Sequence, residues 1–328
     1  MRRDRSRASA PAAIEVALDA LGRVRLWYVA RRAIAPGCAR KGTKNHRMKI
    51  AIQGEPGAFS HEAALKLVPG AEIAPCALSA NVFAALDTGA ADAAVIPIEN
   101  SLAGSVLEHF DLLLKHDVRV VRETLLRIRH NLIALPGARI EQIERVFSHP
   151  VALAQCRRFF AGHPRMKAIG FYDTAGSVKQ LREMGAPDVA AIASQAAAGF
   201  YGAEILERGI EDDPQNFTRF FLVHRAADAE TDPAANKMSL AFTLENRPGS
   251  LVGALSALSA INANLTKIES RPVPGKPWEY IFYVDCQIKA QGEGERVVDA
   301  LAAHCGMVKE LGRYCEAGGE PCAEGAAK

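Results

Sequence analysis

A polar segment at the start of an apolar strand carries the side chains best suited to chemistry. Asn216, Phe217, Thr218 and Arg219 follow an acidic turn and directly precede the apolar residues 220–223. Open α/β folds bind their ligands at such strand ends. A threonine hydroxyl placed there could donate a hydrogen bond to an oxygen that gains negative charge during a reaction. The same residues could also form an ordinary strand entry, with Thr218 bonded to backbone and Arg219 facing water.

Four further loops concentrate polar residues at predicted strand ends. The first is the glycine turn of residues 54–60, whose backbone N–H groups could bind an anion at a helix N-terminus. The others offer carboxylate, amide and hydroxyl groups: Glu99 with Asn100, Ser148 with Gln155, and residues 173–177. Each group could instead cap the helix that follows it or stay solvated, so a ligand site and a helix cap both remain open.

From Met48 onward, short strands alternate with helices in two successive series. Strands are predicted at 48–53, 72–77 and 93–98 in the first series, and at 144–148, 166–171 and 189–193 in the second. Helices are predicted at 60–68, 79–89, 103–115, 150–160, 175–184 and 194–207, with an extended stretch at 118–135 between the series. This alternation is typical of α/β sheets covered on both faces. The sequence therefore predicts two α/β lobes around a cleft, where loops of both lobes would contact a ligand.

The C-terminal third follows a different pattern. Residues 226–236 are predicted to form a linker. Beyond it, strands at 237–245, 264–271, 278–287 and 306–314 and helices at 249–260 and 293–303 give the βαββαβ order of a ferredoxin-like domain. Gly249 and Gly253 would let a ligand approach the first helix closely, and Glu269 could balance an ammonium group. Alternatively, the residues around Glu269 simply end a strand. Residues 316–328 are predicted to form a flexible tail.

In order and spacing, the four loops and the Thr218-Arg219-Phe220 signature resemble the prephenate dehydratase family. The resemblance covers residues 48–225, a predicted catalytic domain whose two lobes resemble type-II periplasmic binding proteins. The family's Gly-x-x-Gly-Thr-Phe-Ser opening occurs here with Ala58 in place of the threonine, so any hydroxyl contact at that position is lost. Residues 237–315 resemble an ACT regulatory domain, because the segments 247–255 and 269–272 match its two ligand-binding elements.

The resemblance implies a hydro-lyase that converts prephenate to phenylpyruvate in phenylalanine biosynthesis, with no cofactor and no metal. It implies that Thr218 is catalytic and that the substrate is bound by Glu99, Asn100, Ser148, Gln155, Phe217 and Arg219. For Arg219, contact with a substrate carboxylate and bracing of the loop are both open. It also implies feedback control by L-phenylalanine between paired ACT domains of a homodimer or homotetramer. The effector site would comprise Gly249, Leu251, Gly253, Ala254, Leu255, Glu269, Ser270, Arg271 and Pro272.

Composition limits the functional classes. Residues 1–47 carry twelve Lys and Arg against three Asp and Glu, whereas the rest of the chain has an acidic excess, which argues against nucleic-acid binding by the body. No apolar run reaches the roughly 18 residues of a membrane span, so no membrane association is expected. The seven scattered cysteines are typical of a reduced, cytoplasmic protein without structural zinc.

The basic extension 1–47 needs a separate interpretation. Residues 12–33 could form one helix, because apolar residues recur there at helical spacing. We expect the extension to be disordered or not normally translated, because Met48 stands where the first strand begins. A targeting arm and a regulatory appendage are the alternatives.

Two other functions compete with prephenate dehydration. Arogenate dehydratase acts on a substrate that differs by one amino group, and the sequence does not separate the two activities. A non-catalytic small-molecule-binding protein would also have two α/β lobes around a cleft. The missing export signal, the free cysteines and the fused C-terminal domain argue against that second alternative.

Overall fold

The structure of the chain is a computed structural model. The structure describes residues 47–273, 276, 278–289 and 292–318, together with the two-residue strands at 17–18 and 24–25. Among these residues, no helix combines the length and apolar character needed to traverse a bilayer.

Seventeen strands and nine α-helices occur in the described residues. The strands are β1 (Ala17–Leu18), β2 (Val24–Arg25), β3 (Lys49–Gln53), β4 (Glu72–Cys76), β5 (Ala93–Asn100), β6 (Gly104–Ser105), β7 (Val118–Arg127), β8 (Asn131–Ala134), β9 (Arg145–Ser148), β10 (Lys167–Gly170), β11 (Val189–Ala193), β12 (Glu204–Arg208), β13 (Phe217–Arg225), β14 (Lys237–Thr243), β15 (Asn264–Pro272), β16 (Tyr280–Gln287) and β17 (Met307–Tyr314). The helices are α1 (Phe59–Leu67), α2 (Ser79–Asp87), α3 (Leu107–Lys115), α4 (Pro150–Ala154), α5 (Arg157–Gly162), α6 (Thr174–Met184), α7 (Gln195–Tyr201), α8 (Ser250–Ala260) and α9 (Glu293–Ala302).

Two lobes each have their own sheet, as the alternation of strands and helices predicts. Lobe 1 has the strand order β4-β3-β5-β13-β7, with the short β6 paired to β5. Lobe 2 has the order β10-β9-β11-β8-β12. The strand β13 returns from the end of lobe 2 and inserts between β5 and β7, antiparallel to both. The Thr218-Arg219-Phe220 signature therefore lies in the middle of the lobe 1 sheet rather than at its edge.

The C-terminal unit, residues 237–314, is a four-stranded antiparallel sheet of order β15-β16-β14-β17 with α8 and α9. This is the predicted ferredoxin-like arrangement. One sheet face packs against the two helices through residues such as Leu240, Phe242 and Val284. The other face continues the core of lobe 1 through residues such as Tyr283 and Tyr314. The unit is thus docked on lobe 1 and shares its core.

Several sequence predictions differ from the structure. The helix predicted at 194–207 ends at Tyr201, and the strand β12 follows it. The helix predicted at 150–160 is broken into α4 and α5. The helix predicted at 103–115 begins only at Leu107, because β6 precedes it. Most of the segment 12–33 lies outside the described residues, and its four described residues form two paired strands instead of a helix.

The cysteines depart in one place from the expectation of a fully reduced chain. Cys76, Cys156, Cys286 and Cys305 are free. Cys315, in contrast, is disulfide-bonded. Spacing along the sequence gave no sign of this bond, because disulfide formation depends on spatial proximity.

Candidate active site

A cluster of uncharged amides surrounds the Thr218 hydroxyl. Asn100 Nδ2 donates to Thr218 Oγ1 at 2.9 Å and to Asn216 Oδ1 at 2.7 Å. Asn216 Nδ2 donates in turn to Gln155 Oε1 at 2.9 Å. Asn216 is fully buried and Thr218 is 8% exposed, so these hydrogen bonds are shielded from water. The cluster joins lobe 1, which supplies Asn100 and Thr218, to the α4 end in lobe 2, which supplies Gln155.

The strand pairing explains why Asn100 and Thr218 meet. They are directly opposite each other in the antiparallel β5–β13 pair, although 118 positions separate them in sequence. Asn100 also begins a tight reversal of the chain, in which its Oδ1 accepts from the backbone N–H groups of Leu102 and Ala103 at 3.0 and 2.8 Å. With its carbonyl oxygen held in this way, the amide nitrogen of Asn100 must point toward β13.

His130 supports the cluster from the loop between β7 and β8. Its Nε2 lies 2.9 Å from Gln155 Oε1, and its ring packs edge-on against Phe59 with centroids 5.8 Å apart. Burial lowers the pKa of His130, which favours the neutral ring. A neutral His130 that donates from Nε2 is consistent with an Oε1 atom that accepts from both His130 and Asn216. Gln155 is therefore held with its Nε2 toward Asn100 Oδ1, at 3.4 Å.

A cleft of about 750 Å³ is lined by residues of both lobes, and these do not include the four residues of the amide cluster. Phe59 and Glu62 of α1 line it on one side, and Gln195 and Arg208 line it on the other. Three arginines face the cleft, namely Arg127, Arg129 and Arg208, against two carboxylates, Glu62 and Glu211. Arg127 is the residue opposite Phe217 in the β7–β13 pair, one position along the ladder from the Thr218–Leu126 pair, so the end of β7 lies beside the strand segment that carries Thr218.

The glycine turn of residues 54–60 fixes lobe 1 against lobe 2. Ser194 Oγ donates to the Gly57 carbonyl at 2.6 Å, and Glu55 Oε1 accepts from Tyr172 Oη at 2.9 Å. A Cβ atom on Gly57 would lie 2.6 Å from Ala197 Cα. An anion site and an ordinary tight turn were both open for this segment, and its packing against the N-terminus of α7 favours the ordinary turn.

Three predicted substrate-binding residues are placed elsewhere by the structure. The Ser148 side chain is fully buried, and its hydroxyl donates to the Ile192 carbonyl at 2.6 Å, inside the lobe 2 sheet. The Glu99 carboxylate pairs with Lys267 of β15 at 2.9 Å. The Arg219 guanidinium faces away from Thr218, because successive side chains of a strand point to opposite faces. These groups are bonded to protein partners in this structure, and their assignment to substrate binding stays a prediction.

Arg219 instead connects lobe 1 to the C-terminal unit. Its Nε lies 2.5 Å from Glu123 Oε2 and its Nη1 lies 2.5 Å from Asp285 Oδ2. Its Nη2 donates to Tyr314 Oη at 2.9 Å. Burial raises the pKa of Tyr314, so the phenol stays protonated. Of the two roles left open for Arg219, these contacts favour bracing.

The elements of the predicted effector site also have intrachain contacts. Gly249 caps α8 with a φ of 84°, a conformation that favours glycine, and Ala254 lies on the buried face of the same helix. Glu269 accepts from Ser105 Oγ at 2.7 Å, and Arg271 pairs with Asp111 of α3. The sequence suggests that the Glu269 carboxylate balances a ligand ammonium group. In this structure the same carboxylate already accepts a hydrogen bond from lobe 1.

Sequence reasoning missed four contributors to the site. Asn216 was part of the signature segment but was given no role, and His130, Arg127 and Arg129 lie in the stretch predicted only as extended. One sequence feature could have indicated these residues as site candidates. The segment Arg127-Ile128-Arg129-His130 places two arginines and one histidine close together near the end of a strand. Among the residues that the structure describes, no group of three or more His, Cys, Asp or Glu side chains could hold a metal ion.

Comparison with known proteins identifies the family. The family model described as prephenate dehydratase matches residues 50–228. The chain is 38% identical over 278 residues to "Arogenate dehydratase/prephenate dehydratase 2, chloroplastic" of Arabidopsis thaliana. This alignment covers 82% of the chain and 73% of the relative. The chain therefore belongs to the prephenate dehydratase family. It is a dehydratase of phenylalanine biosynthesis, and this class of enzyme is a hydro-lyase.

Two solved structures resemble most of the chain. The prephenate dehydratase from Arthrobacter aurescens in complex with L-Phe is 33% identical, with a TM-score of 0.75, and the alignment covers 84% of this chain and 92% of that one. A protein described as GqqA, a quorum-quenching acylase, is also 33% identical with a TM-score of 0.75, over 81% of this chain and 97% of that one.

Proposed function

We propose that this enzyme converts prephenate to phenylpyruvate. The observation that carries the proposal is the hydrogen bond from Asn100 Nδ2 to Thr218 Oγ1, at 2.9 Å. Because Oγ1 accepts this bond, the hydroxyl hydrogen of Thr218 is free to donate to another oxygen. A substrate hydroxyl that departs as hydroxide is the oxygen for which such a donor is suited.

The reaction needs no proton transfer from the protein before the C–O bond breaks. The ring carboxylate of prephenate leaves as CO₂, its bonding electrons aromatise the ring, and the C4 hydroxyl departs as hydroxide. The hydrogen bond from Thr218 strengthens as charge grows on that oxygen. One preorganised donor of this kind contributes ~3–4 kcal/mol to the transition state, or a factor of ~10²–10³ in rate.

The two carboxylates of prephenate require different surroundings. The ring carboxylate must lose its charge as CO₂, so a strong ion pair to it would stabilise the ground state and oppose the reaction. The uncharged Asn100, Gln155 and Asn216 suit that carboxylate. The pyruvyl carboxylate keeps its charge, and Arg127 and Arg129 in the cleft suit it. We therefore propose that the substrate lies across the border between the amide cluster and the arginines.

Arg127→Gln and Arg129→Gln test this placement. Each should raise KM roughly 10- to 100-fold with a smaller change in kcat, because a hydrogen bond to a charged group is worth ~1.5–3 kcal/mol. Arg145→Gln is the matched control, since Arg145 pairs with Asp188 on the surface of lobe 2 at 2.9 Å. Unchanged KM in both cleft variants would show that the pyruvyl carboxylate binds elsewhere. Failure of the wild-type protein to turn over either prephenate or arogenate would overturn the proposed function itself.

Arogenate is the second candidate substrate, and Glu62 is the residue that favours it. Glu62 lines the same cleft as the arginines, and burial raises its pKa. A carboxylate in this position could pair with the ammonium group that arogenate has and prephenate lacks. Curated relatives from Arabidopsis and Petunia carry arogenate dehydratase names. Turnover of both substrates by wild type and by Glu62→Gln decides between them, because loss of this pair should lower kcat/KM for arogenate alone.

We also propose L-phenylalanine as the effector. The support comes from the solved relative bound to L-Phe and from the α8 start at Gly249, which resembles an ACT ligand-binding element. Binding between the C-terminal units of two copies in a homodimer or homotetramer would couple the effector to the catalytic lobes. Calorimetric titration of phenylalanine, together with activity measured over the same concentrations, tests binding and inhibition separately.

Acyl hydrolysis, the activity named for one solved relative, finds less support in this site. It needs a nucleophile activated by a neighbouring base. The Thr218 hydroxyl contacts the Asn100 amide, and the His130 Nε2 contacts the Gln155 amide. Neither arrangement pairs a nucleophile with a base, so we do not propose this activity.

A further inference from the structure

Lys267 of the C-terminal unit reaches into the loop that carries Asn100. Its Nζ lies 2.9 Å from Glu99 Oε1 and donates to Ser105 Oγ at 2.8 Å. Glu269 Oε2 lies 3.9 Å from the same Nζ, and the Phe110 ring centroid lies 5.8 Å away. The Lys267 side chain is only 10% exposed. One ammonium group thus binds two residues of lobe 1 in a nearly buried position.

The two residues that Lys267 binds form the base of a hairpin. Glu99 pairs with Ser105 across the antiparallel β5–β6 ladder, and Asn100 pairs with Gly104 one step further. Asn100 therefore lies inside the hairpin, directly above the pair that Lys267 holds. Since Asn100 orients the Thr218 hydroxyl, the geometry of this hairpin sets the position of the hydrogen-bond donor proposed for catalysis.

We propose that Lys267 is a positioning residue for the reaction, and that it holds the hairpin 99–105 so that Asn100 can orient Thr218. This inference rests on the proposed function. Through the same contact, a movement of β15 relative to lobe 1 changes the position of Asn100. Lys267 is then the link through which the C-terminal unit affects turnover.

Other contacts keep the C-terminal unit docked without Lys267. Arg219 pairs with Asp285, Arg271 pairs with Asp111, and Gly312 packs against the backbone of Val120 so closely that a Cβ atom there would lie 2.1 Å from its carbonyl oxygen. Removing the Lys267 ammonium should therefore leave the two parts together while releasing Glu99, and Ser105 keeps its hydrogen bond to Glu269 at 2.7 Å. The remaining Glu99 and Glu269 carboxylates then lack their shared cation, and their repulsion opens the hairpin.

Lys267→Gln is the test, with Lys276→Gln as the control. Lys276 belongs to the same unit, and its ammonium pairs with the exposed Glu279 at 3.2 Å. We expect Lys267→Gln to lower kcat roughly 10- to 100-fold with KM changed less than about 3-fold, because small displacements of a catalytic group cost rate more than binding. Lys267→Arg should restore most of kcat, because it returns a cation to the same place. Wild-type kcat in Lys267→Gln would overturn the proposal.

Amide hydrogen exchange gives a readout that does not depend on activity. The N–H groups of Leu102 and Ala103 are bonded to Asn100 Oδ1, so they report directly on the hairpin. In Lys267→Gln their exchange should accelerate about 10-fold or more, whereas exchange across the β14–β16 pair should not change. Unchanged protection of the Leu102 and Ala103 amides against exchange would contradict the positioning role. This result would hold even if the wild-type protein turned over neither substrate.

Phenylalanine supplies the last comparison. If Lys267 transmits the state of the C-terminal unit, Lys267→Gln should bind phenylalanine as wild type does while its kcat no longer responds. Equal inhibition of the variant and wild type would show that the effector acts by a route that does not include Lys267.

Discussion

Arg219 Nη1 lies 2.5 Å from Asp285 Oδ2, so the residue after the candidate catalytic threonine is bound to the C-terminal unit. Glu123 and Tyr314 also accept hydrogen bonds from the guanidinium, and its carbon lies 4.7 Å from the centroid of the Phe221 ring. The Thr218 hydroxyl and the Arg219 guanidinium therefore lie on opposite faces of β13, one toward the amide cluster and the other toward the unit that we propose as regulatory. A single strand connects the two.

Arg219→Gln should destabilise the protein strongly. The substitution leaves the carboxylates of Glu123 and Asp285 without this cation while both stay almost fully buried. Removing one partner of a buried ion pair typically costs ~3–5 kcal/mol. Arg145→Gln breaks the half-exposed pair with Asp188, which should cost only ~0–1 kcal/mol. Urea denaturation of both variants measures the difference, and equal losses would contradict the bracing role.

Thr218→Ala should lower kcat about 10²–10³-fold with little change in KM, because the hydroxyl acts mainly as charge develops on the leaving oxygen. Thr218→Ser is the matched control, since it keeps a hydroxyl on the same backbone position. Steady-state kinetics of both variants, with folding checked by circular dichroism, make the comparison. Near-wild-type turnover by the alanine variant would remove Thr218 from the mechanism.

Gly57→Ala should disturb the contact between the lobes. Gly57 has a φ of 88°, and an added Cβ would meet the Ala197 backbone at 2.6 Å. Gly70→Ala provides the control, because Gly70 has a similar φ of 79° but open space around it. Both variants carry the cost of a left-handed alanine, ~1–2 kcal/mol, and only Gly57→Ala adds a clash with backbone. The melting temperature of Gly57→Ala should therefore fall further than that of Gly70→Ala.

The free energy of unfolding should decrease as the pH falls below about 6.5. Burial lowers the pKa of His109 and of His130 from the ordinary histidine value of about 6.5, so the folded state binds fewer protons than the unfolded state below that pH. The stability that each contributes is present above the unfolded pKa and is lost as the pH falls toward the folded pKa. Each can contribute a slope of up to ~1.4 kcal/mol per pH unit.

His109→Gln isolates the contribution of His109 to the pH dependence of the free energy of unfolding. His109 is fully buried between Ser79 and the Pro97 carbonyl, away from the cleft arginines. Denaturation at pH 7.5, 6.5 and 5.5 should give a shallower pH dependence for the variant than for wild type. Parallel curves would show that His109 titrates normally in the folded state.

Local patterns predicted most of the fold because their signals are strong over short distances. The buried run Ala93–Ile98 and the capped starts of α6 and α7 sit where the sequence indicates. The strand β12 was missed because Glu204–Arg208 follows an alanine-rich helix without an obvious break until Gly202 takes the left-handed conformation. The break between α4 and α5 was missed because Gln155 and Cys156 show no local breaker residue.

The sequence by itself determined which side chains were available, namely a threonine and several amides. It also determined the order of the strands that carry them. The family resemblance implied one site for Asn100, Ser148, Gln155 and Thr218, and in the structure hydrogen bonds join Asn100 to Thr218 and to Gln155. Only the tertiary structure decided which partners the side chains next to these residues contact. Glu99 and Arg219 adjoin Asn100 and Thr218 in sequence, but their side chains lie on the face where the C-terminal unit docks, because a strand alternates its side chains between two faces. Their partners on that face, Lys267 and Asp285, belong to the C-terminal unit. No local sequence pattern predicts that this unit docks there.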